Sequence, residues 1–303
     1  MFKLIFLYSL LLCSVFAQDL TIPLNLSELI DKNSVNTRAV FPPPMDYYDH
    51  QIWILDTVNS KIKSLSDDKL NIDLSSFQKR FPVDDFKIVS YSKIFLMSKQ
   101  KLSLASYDSL SKKLTIISKK SEKNDMFFEM SSLKKAADKI YVSDLVSGFI
   151  RIFSKHGFFL GSIKFSSEDF LPFSPVEVIT LFSEGDVSSL GWASISGGKK
   201  VFYSEAKSDN DEFVTLSLVG MDQDKNTYVQ KIYGSTHGLA KLAVQKISPK
   251  GDLISEKKVA MTLFEYQEFQ RFFFVTPKAQ VFQIKHNEKS DSLYLKSLDL
   301  ILK

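Results

Sequence analysis

The chain has 303 residues, with 39 Lys and Arg against 35 Asp and Glu and a formal charge of +4. This excess of positive charge is too small for the strongly basic surface of a typical nucleic-acid-binding protein, so no nucleic-acid partner is expected. The length allows one large repeat domain or two ordinary domains. With a single cysteine, the chain forms neither an internal disulfide nor a thiolate metal site.

Residues 1–17 have the pattern of a secretory signal peptide. Lys3 supplies the positive charge, Leu4–Leu12 form a short apolar run, and Val15-Phe16-Ala17 resemble a cleavage site. We therefore expect cleavage after Ala17 and a secreted or periplasmic protein whose mature chain is cysteine-free.

The alternative for this segment is a lipoprotein signal that uses Cys13. It is disfavoured because Leu12 stands before the cysteine, where a small residue is expected. No later segment reaches the ~18 apolar residues that a membrane-spanning helix needs, so no membrane span is expected.

Two segments of the chain align without gaps and predict equivalent β-hairpins. They are Trp53–Ile62 and Tyr141–Ile150, and each carries an Asp three residues after its aromatic residue, at Asp56 and Asp144. In both, a small polar pair follows before the second strand opens at Ile. The Asp side chain is expected to accept hydrogen bonds from backbone N–H groups of the turn.

Aromatic-centred strands recur along the rest of the chain and extend this pattern. The six aromatic positions are Trp53, Phe95, Tyr141, Trp192, Tyr228 and Phe273. Their separations lie between 36 and 51 residues, around the roughly 40–50 residues of one four-stranded propeller blade. We predict an all-β fold, a six-bladed β-propeller of four-stranded blades over residues 46–303, preceded by an N-terminal segment at 18–45.

The remaining strand-length runs give the fourth and last units four strands each. In the fourth unit Phe213–Val219 is the last strand, and in the last unit Phe264–Phe269 is the first. Either Leu20–Leu24 or Thr37–Phe41, both in the N-terminal segment, is expected to pair with the last blade and close the ring. Short helices are predicted at two places, Leu26–Lys32 and Met130–Ala137.

At the aligned hairpins the chain resembles NHL-type repeats and the wider superfamily of six-bladed TolB-like propellers. The best match is Asp138–Asp144 followed by Phe149–Phe153 and Gly157–Leu160. The sequence departs from the repeat pattern at Ser98, where an Asp is usual, and it lacks most of the glycines that precede the strand. The resemblance implies blades around a central channel, and it implies no chemistry, because such propellers include binding scaffolds, lactonases, esterases and lyases alike.

No catalytic, cofactor-binding or metal-ligating residue is assigned from the sequence. The four histidines, which have no zinc-type spacing, are His50, His156, His237 and His286. Gly234–Gly238 is not a nucleophile elbow, because Thr236 stands at its centre. Ser196–Lys200 is not a phosphate loop, because a strand rather than a helix follows it.

Two loops and one modification sequence keep alternatives open. Asp222, Asp224 and Asn226 place oxygen ligands on alternate residues, as calcium loops begin, but the glycine and the later glutamate of such loops are missing. A turn that leads into the next strand is the simpler interpretation. Phe41–His50 is interpreted as the entry to the first blade, and the alternative is a binding loop. Asn25-Leu26-Ser27 is a glycosylation sequence where the host performs that modification.

The function expected from the sequence is that of an exported, non-catalytic β-propeller that binds a protein or a polymer of the cell envelope or extracellular space. The alternative is a metal-dependent hydrolase or lactonase with a divalent ion, such as calcium, in the central channel. Whether the chain is an enzyme stays open at this stage, with the missing catalytic motifs favouring a binding protein.

Overall fold

The computed structural model describes residues 20–25, 43–57, 59–67, 69–118, 127–164, 169–184, 186–194, 196–207, 213–235, 240–259, 272–287 and 292–300. These residues form six antiparallel sheets of four strands each. The innermost strands of successive blades contact one another around a common centre. The predicted all-β, six-bladed β-propeller is therefore confirmed.

In blades one to five the strands follow one another in chain order from the innermost strand, at the centre of the ring, to the outermost. The first strand of the chain and blades one to three comprise β1 (Leu20–Asn25), β2 (Met45–Tyr48), β3 (Gln51–Asp56), β4 (Lys61–Ser64), β5 (Asn71–Asp73), α1 (Ser75–Gln78), β6 (Asp85–Ser90), β7 (Lys93–Ser98), β8 (Ser103–Asp108), β9 (Lys113–Ser118), β10 (Met130–Ala136), β11 (Lys139–Asp144), β12 (Phe149–Ser154) and β13 (Phe159–Lys164). Blades four to six comprise β14 (Phe170–Ser174), β15 (Glu177–Glu184), β16 (Val187–Ser194), β17 (Lys199–Ala206), β18 (Phe213–Met221), β19 (Thr227–Gly234), β20 (Lys241–Ile247), β21 (Leu253–Val259), β22 (Phe273–Val275), β23 (Val281–Asn287) and β24 (Ser292–Leu298).

The ring is closed by a strand from the start of the chain. β1 pairs antiparallel with β24, with Leu20 opposite Leu295 and Ile22 opposite Leu293. It is the outermost strand of blade six, whose order is β1-β24-β23-β22. Of the two segments considered for closure, the one containing Leu20–Leu24 makes this pairing, and Thr37–Phe41 lies outside the described residues.

The hydrophobic core is distributed over the interfaces between blades. Each of the described apolar clusters joins two neighbouring blades around the ring. Adjacent residues of one strand serve different interfaces: Ile54 packs toward blade six and Leu55 toward blade two. Because side chains alternate across a strand, a blade buried on both faces needs a continuous apolar run, and the second strands have one.

The aligned hairpins occupy equivalent positions, as predicted. Each joins the second and third strands of its blade. Asp56 accepts a hydrogen bond from the backbone N–H of Asn59 at 2.9 Å, and Asp144 accepts one from that of Ser147 at 3.4 Å. In blade two, Ser98 Oγ accepts the N–H of Lys101 at 3.3 Å, so a serine replaces the usual Asp in the same role.

The boundaries of the later units differ from the prediction. Trp192 lies in the third strand of blade four and Phe273 in the first strand of blade six, whereas the other aromatic positions lie in second strands. Aromatic residues at any strand of a blade pack between blades, so their identity does not reveal strand order. Phe213–Val219 belongs to β18 and begins blade five rather than ending blade four.

The helix predictions also need correction. Met130–Ala137 is not helical but forms β10 up to Ala136, because Met130 and Leu133 are buried in the interface with blade two. The described helix, α1, follows β5 and was not predicted. Leu26–Lys32 and Phe264–Phe269 lie outside the described residues. Within the described stretches, no helix is long and apolar enough to cross a membrane.

Removing β1 is expected to open the ring. A chain that starts at residue 26 leaves β24 as an unprotected edge. It is expected to melt at least about 10 °C below a chain that starts at Leu20, because the pairing contributes a few kcal/mol to the free energy of unfolding and each kcal/mol shifts the melting midpoint of a large domain by about 2–4 °C. Circular dichroism melting of the two purified chains measures the difference. Equal midpoints would show that the pairing of β1 with β24 contributes nothing to closure.

Candidate functional site

A polar network links the innermost strands of blades one to three. The Asp46 carboxylate of β2 accepts hydrogen bonds from the backbone N–H of Ile88 at 2.7 Å and from Lys135 Nζ at 2.9 Å. Lys135 Nζ also donates to the carbonyl of Ile88 at 2.6 Å. One carboxylate and one ammonium group therefore connect three consecutive blades near the channel.

A second carboxylate has the same kinds of partner one blade further on, but its lysine belongs to the same strand, β6. Lys87 Nζ donates to Asp85 Oδ1 at 3.0 Å and to the carbonyl of Phe86 at 2.7 Å. The other oxygen of Asp85 accepts the backbone N–H of Leu133, in blade three, at 3.3 Å. Each carboxylate of the two networks thus has a lysine and a backbone partner, which is the arrangement of a structural connection rather than of a metal ligand.

Blades four and five are joined by a half-buried cluster with catalytic residue types. The Glu205 carboxylate accepts hydrogen bonds from Tyr203 and Lys231, and from Gln245 Nε2 at 3.1 Å. The same amide donates to Glu256 at 2.9 Å. Strand β17 contributes the tyrosine and the first glutamate, and blade five contributes the rest.

The protonation states in this cluster are fixed by the same contacts. Burial raises the pKa of the Tyr203 phenol, and its hydrogen bond to Glu205 raises it further. Burial also tends to raise the pKa of Glu205, but the hydrogen bonds from Lys231 and Tyr203 outweigh it and hold that pKa below its ordinary value. The tyrosine therefore stays protonated and the glutamate ionised at neutral pH, which preserves the hydrogen bonds that connect the two blades.

The calcium-like sequence forms a tight turn between β18 and β19. The Asp222 carboxylate accepts the backbone N–H of Asn226 at 2.9 Å, the Tyr228 hydroxyl at 3.0 Å and Lys246 Nζ at 3.2 Å. Asp224 is exposed on the same turn. Since Asp222 is satisfied by donors of the chain itself, the turn and not an ion organises these residues. Within the described part of the chain, no group of three metal-ligating side chains is brought together.

Replacing Asp222 with Asn is expected to change how stability depends on pH. Burial alone raises the pKa of the Asp222 carboxyl, but hydrogen bonds led by those of Asn226 hold it below its ordinary value. Its stabilisation is therefore complete above the pKa of the unfolded chain and is lost as pH falls through the lower folded pKa. Asp222→Asn is expected to cost about 1–3 kcal/mol at neutral pH and less in acid.

Denaturant unfolding of the two proteins over a series of pH values measures this difference. The matched control is Asp224→Asn, which removes an exposed carboxylate from the same turn. A stability gap between the original protein and Asp222→Asn that stays constant from neutral to acidic pH would contradict the assigned role of the carboxylate.

The other residues weighed from the sequence do not converge. His50 is exposed in the β2–β3 turn with a positive φ of 62°, and His156 is exposed in the β12–β13 turn. His286 lies in β23, and His237 lies outside the described residues. Lys199 and Lys200 begin β17, and within Phe41–His50 the described part enters the first blade as β2.

The strongest candidate for an interaction site lies in blade three around Asp144. This fully buried side chain accepts the backbone N–H groups of Phe128 and Glu129, both at 3.0 Å, in addition to that of Ser147. It therefore holds the end of the connection from blade two against the β11–β12 turn. Arg151 Nη2 lies 3.9 Å from the same carboxylate.

Large apolar side chains project into solvent from these restrained segments. Phe128, Val146 and Phe149 are 48%, 66% and 37% exposed. Phe149 lies opposite Asp144 in the ladder. We call Phe128, Glu129, Val146 and Phe149, with Asp144 beneath them, the Asp144 platform. Neighbouring apolar groups on a restrained scaffold are typical of an interaction surface.

Sequence reasoning found one member of this site and missed the others. Asp144 was singled out as a turn residue, but its hydrogen bonds to Phe128 and Glu129 reach 16 and 15 residues back along the chain. The neighbouring phenylalanines at 127 and 128 are the signal that was available. Phe127 is fully buried while Phe128 is exposed. Because both residues are phenylalanine, the sequence alone does not predict which of the two is exposed.

Comparison with known proteins supports the fold and nothing finer. No protein-family model and no curated protein sequence matches the chain. A member of the duf4221 family from Bacteroides vulgatus has a TM-score of 0.54 and 11% identity over 86% of this chain and 92% of that one. A catalytically inactive virginiamycin B lyase from Staphylococcus aureus, with quinupristin, has a TM-score of 0.51 and 10% identity over 93% of this chain and 99% of that one.

A third similar structure belongs to a different kind of protein. Hydrazine synthase from Kuenenia stuttgartiensis has a TM-score of 0.51 and 11% identity over 84% of this chain and 76% of that one. Proteins so different in name share the architecture, so the likeness shows a β-propeller and carries no activity to this chain. The NHL type of repeat stays a prediction.

Proposed function

We propose that this propeller is an exported, non-catalytic binding module that holds a protein or a polymer of the cell envelope or extracellular space on the Asp144 platform. The observation that carries the proposal is the placing of three exposed, large apolar side chains on segments fastened by one fully buried carboxylate. A scaffold fixed in this way loses little conformational freedom when a partner binds.

The composition of the platform agrees with this role. Phe128 and Phe149 offer rings without a polar tip, and the exposed Glu129 lies beside them. Protein-binding surfaces combine an apolar centre, in which aromatic residues are enriched, with a polar rim. The aromatic rings would supply most of the binding free energy and Glu129 would favour a partner that presents a donor or a positive charge.

The polar networks of the interior support a binding role over catalysis. Asp46 and Asp85 are each engaged by a lysine and a backbone N–H group, and Glu205 is engaged by three donors. A general base or a metal ligand needs a carboxylate that can turn to the substrate or ion. These carboxylates instead connect blades.

The binding proposal predicts that the platform is protected by a partner. In the presence of a washed envelope fraction from the producing cells, amide hydrogen exchange is expected to slow at residues 127–129 and 144–149. The variant Phe128→Ser/Val146→Ser is expected to bind that fraction about tenfold more weakly or worse, as loss of central apolar contacts does elsewhere. Leu253→Ser, an exposed leucine of blade five, is the matched control.

Two outcomes would contradict this function. One is exchange that is unchanged at the platform while the envelope fraction protects other residues. The other is equal binding by the platform variant and by Leu253→Ser, once melting curves show that both are folded.

Metal analysis separates the binding proposal from the hydrolase or lactonase alternative, and the expectations that follow are those of the binding proposal. Metal analysis of the mature protein is expected to find no stoichiometric divalent ion, and chelation is expected to leave the melting midpoint unchanged. A stoichiometric ion that is lost on chelation together with an activity on a lactone or ester would end the binding proposal.

A further inference from the structure

The Asp144 platform continues outward to a lysine at the edge of blade three. Phe149 lies opposite Asp144 in the pairing of β11 with β12, and Lys164 lies opposite Phe149 in the pairing of β12 with β13. Side chains that are directly opposite in a ladder share one face of the sheet, with β-carbons about 4.5–5.5 Å apart. The exposed Lys164 therefore lies beside Phe149, on the side of the platform nearest the outer edge of the blade.

A glutamate is held at the inner side of the same platform. The backbone N–H of Glu129 donates to the Asp144 carboxylate at 3.0 Å, and the carbonyl of Glu129 accepts the N–H of Leu145 at 2.9 Å. These two hydrogen bonds bind the backbone of Glu129 to the start of the β11–β12 turn, while its side chain is exposed. Glu129 directly precedes the innermost strand, β10, so it lies on the opposite side of the platform from Lys164.

The charges beneath the platform are engaged with each other. Asp144 is fully buried and Arg151 is 8% exposed. Arg151 Nη2 lies 3.9 Å from the Asp144 carboxylate, so these two groups offset one another inside the blade. Glu129 and Lys164, in contrast, present a negative and a positive charge to solvent on either side of the exposed apolar side chains.

The separation of the two exposed charges corresponds to a short length of extended chain. From the entry of β10 to the end of β13 there are three spacings between neighbouring strands, or about 14 Å. An extended polypeptide advances about 3.3 Å per residue, and its alternate side chains lie on one face. Side chains about four positions apart on one face of such a peptide therefore reach both charges, and the side chain midway between them lies over the apolar centre.

We propose that the partner held on the Asp144 platform is an extended polypeptide segment with charges of both signs. A basic side chain of the partner pairs with Glu129, an acidic one about four positions away pairs with Lys164, and an apolar side chain between them packs on the exposed rings. This inference rests on the proposed function and deepens it, because that function left open whether the partner is a protein or another polymer.

The two charges disfavour a polymer that carries a single sign. A polyanion is attracted by Lys164 and repelled by Glu129, and a polycation meets the reverse, so the contributions of the two side chains oppose each other. A polymer without charge gains nothing from either. A polypeptide supplies both signs within a few residues, and like-charge contacts that exclude the wrong partner are a common source of specificity.

The apolar centre disfavours a polysaccharide for a second reason. Phe128, Val146 and Phe149 have no polar atom in their side chains, and all three are exposed. A sugar carries hydroxyl groups around its ring, and a hydroxyl that is buried without a hydrogen-bond partner costs free energy. An apolar side chain of a peptide loses no hydrogen bond when it covers the same surface.

Peptide selection with the purified mature protein tests the charge pattern. From random peptides displayed on phage, the original protein is expected to enrich sequences with a basic and an acidic residue about four positions apart around an apolar one, in either order. Lys164→Glu is expected to enrich peptides with two basic residues instead, and Glu129→Lys peptides with two acidic residues. A peptide selected on the original protein is expected to bind each variant at least about threefold more weakly, the scale of an exposed ion pair.

The matched controls reverse exposed charges elsewhere in the ring. Lys101→Glu and Glu184→Lys lie at the turns between the second and third strands of blades two and four. Both are expected to enrich the same peptides as the original protein, once melting curves show that all variants are folded. The inference is overturned if the platform variants enrich the same peptides as these controls do.

Treatment of the washed envelope fraction tests the class of partner. Protease digestion of the fraction, followed by inactivation of the protease, is expected to abolish binding, whereas periodate oxidation of its sugars is expected to leave binding intact. The opposite pattern would identify a polysaccharide and overturn this inference, while the proposed function would stand as long as Phe128→Ser/Val146→Ser still weakens binding. Light scattering that shows a dimer dispersed by Phe128→Ser/Val146→Ser would assign the platform to a second copy of the chain and overturn both.

Discussion

The fold depends on the burial of both faces of every blade. A single four-stranded sheet with apolar residues on both sides has no stable existence in water, and in this chain each sheet supplies side chains to two clusters, one shared with each neighbour. The residues Ile54 and Leu55, adjacent in sequence, belong to different interfaces for this reason. Hence a propeller of this kind is stabilised as a closed ring, and the pairing of β1 with β24 brings the two ends of the chain into the same blade.

The polar interior follows from the same constraint. Where charged groups lie between blades they are desolvated, so each needs a partner of opposite charge or a backbone group. Asp46 meets this need with Lys135 and Ile88 of other blades, and Glu205 meets it with Lys231 and Gln245. These contacts connect neighbouring blades through specific pairs of groups, in addition to the apolar packing between them.

The sequence allowed the blade count to be predicted because second strands combine two signals. The first signal is an apolar run that is buried on both faces. The second is a turn whose backbone N–H is bound by a side chain, that of Asp56, Ser98 or Asp144. The two signals recur together at the spacing of one blade. Trp192 and Phe273 carried the aromatic signal without the turn, and strand order was misassigned there. The Asp46–Lys135 contact joins residues 89 apart in sequence. Asp144 accepts a hydrogen bond from the backbone N–H of Phe128, which lies 16 residues earlier in the chain. Contacts of this kind depend on ring geometry, which no local pattern encodes.

Blade three differs from the other blades in what it leaves exposed. A ring of six interfaces buries the faces of the sheets but not the turns or the outer strands, so evolution can vary these without disturbing the core. In β17 and β21 the variation has produced charged edges, which oppose pairing with another chain. Blade three instead exposes Phe149 at one end of its outer hairpin and Phe158 at the other. Exposed aromatic residues on firmly held backbone favour aggregation unless a partner covers them. Their presence at both ends of one hairpin is the reason why we propose this blade, rather than the channel, as the place where a partner binds.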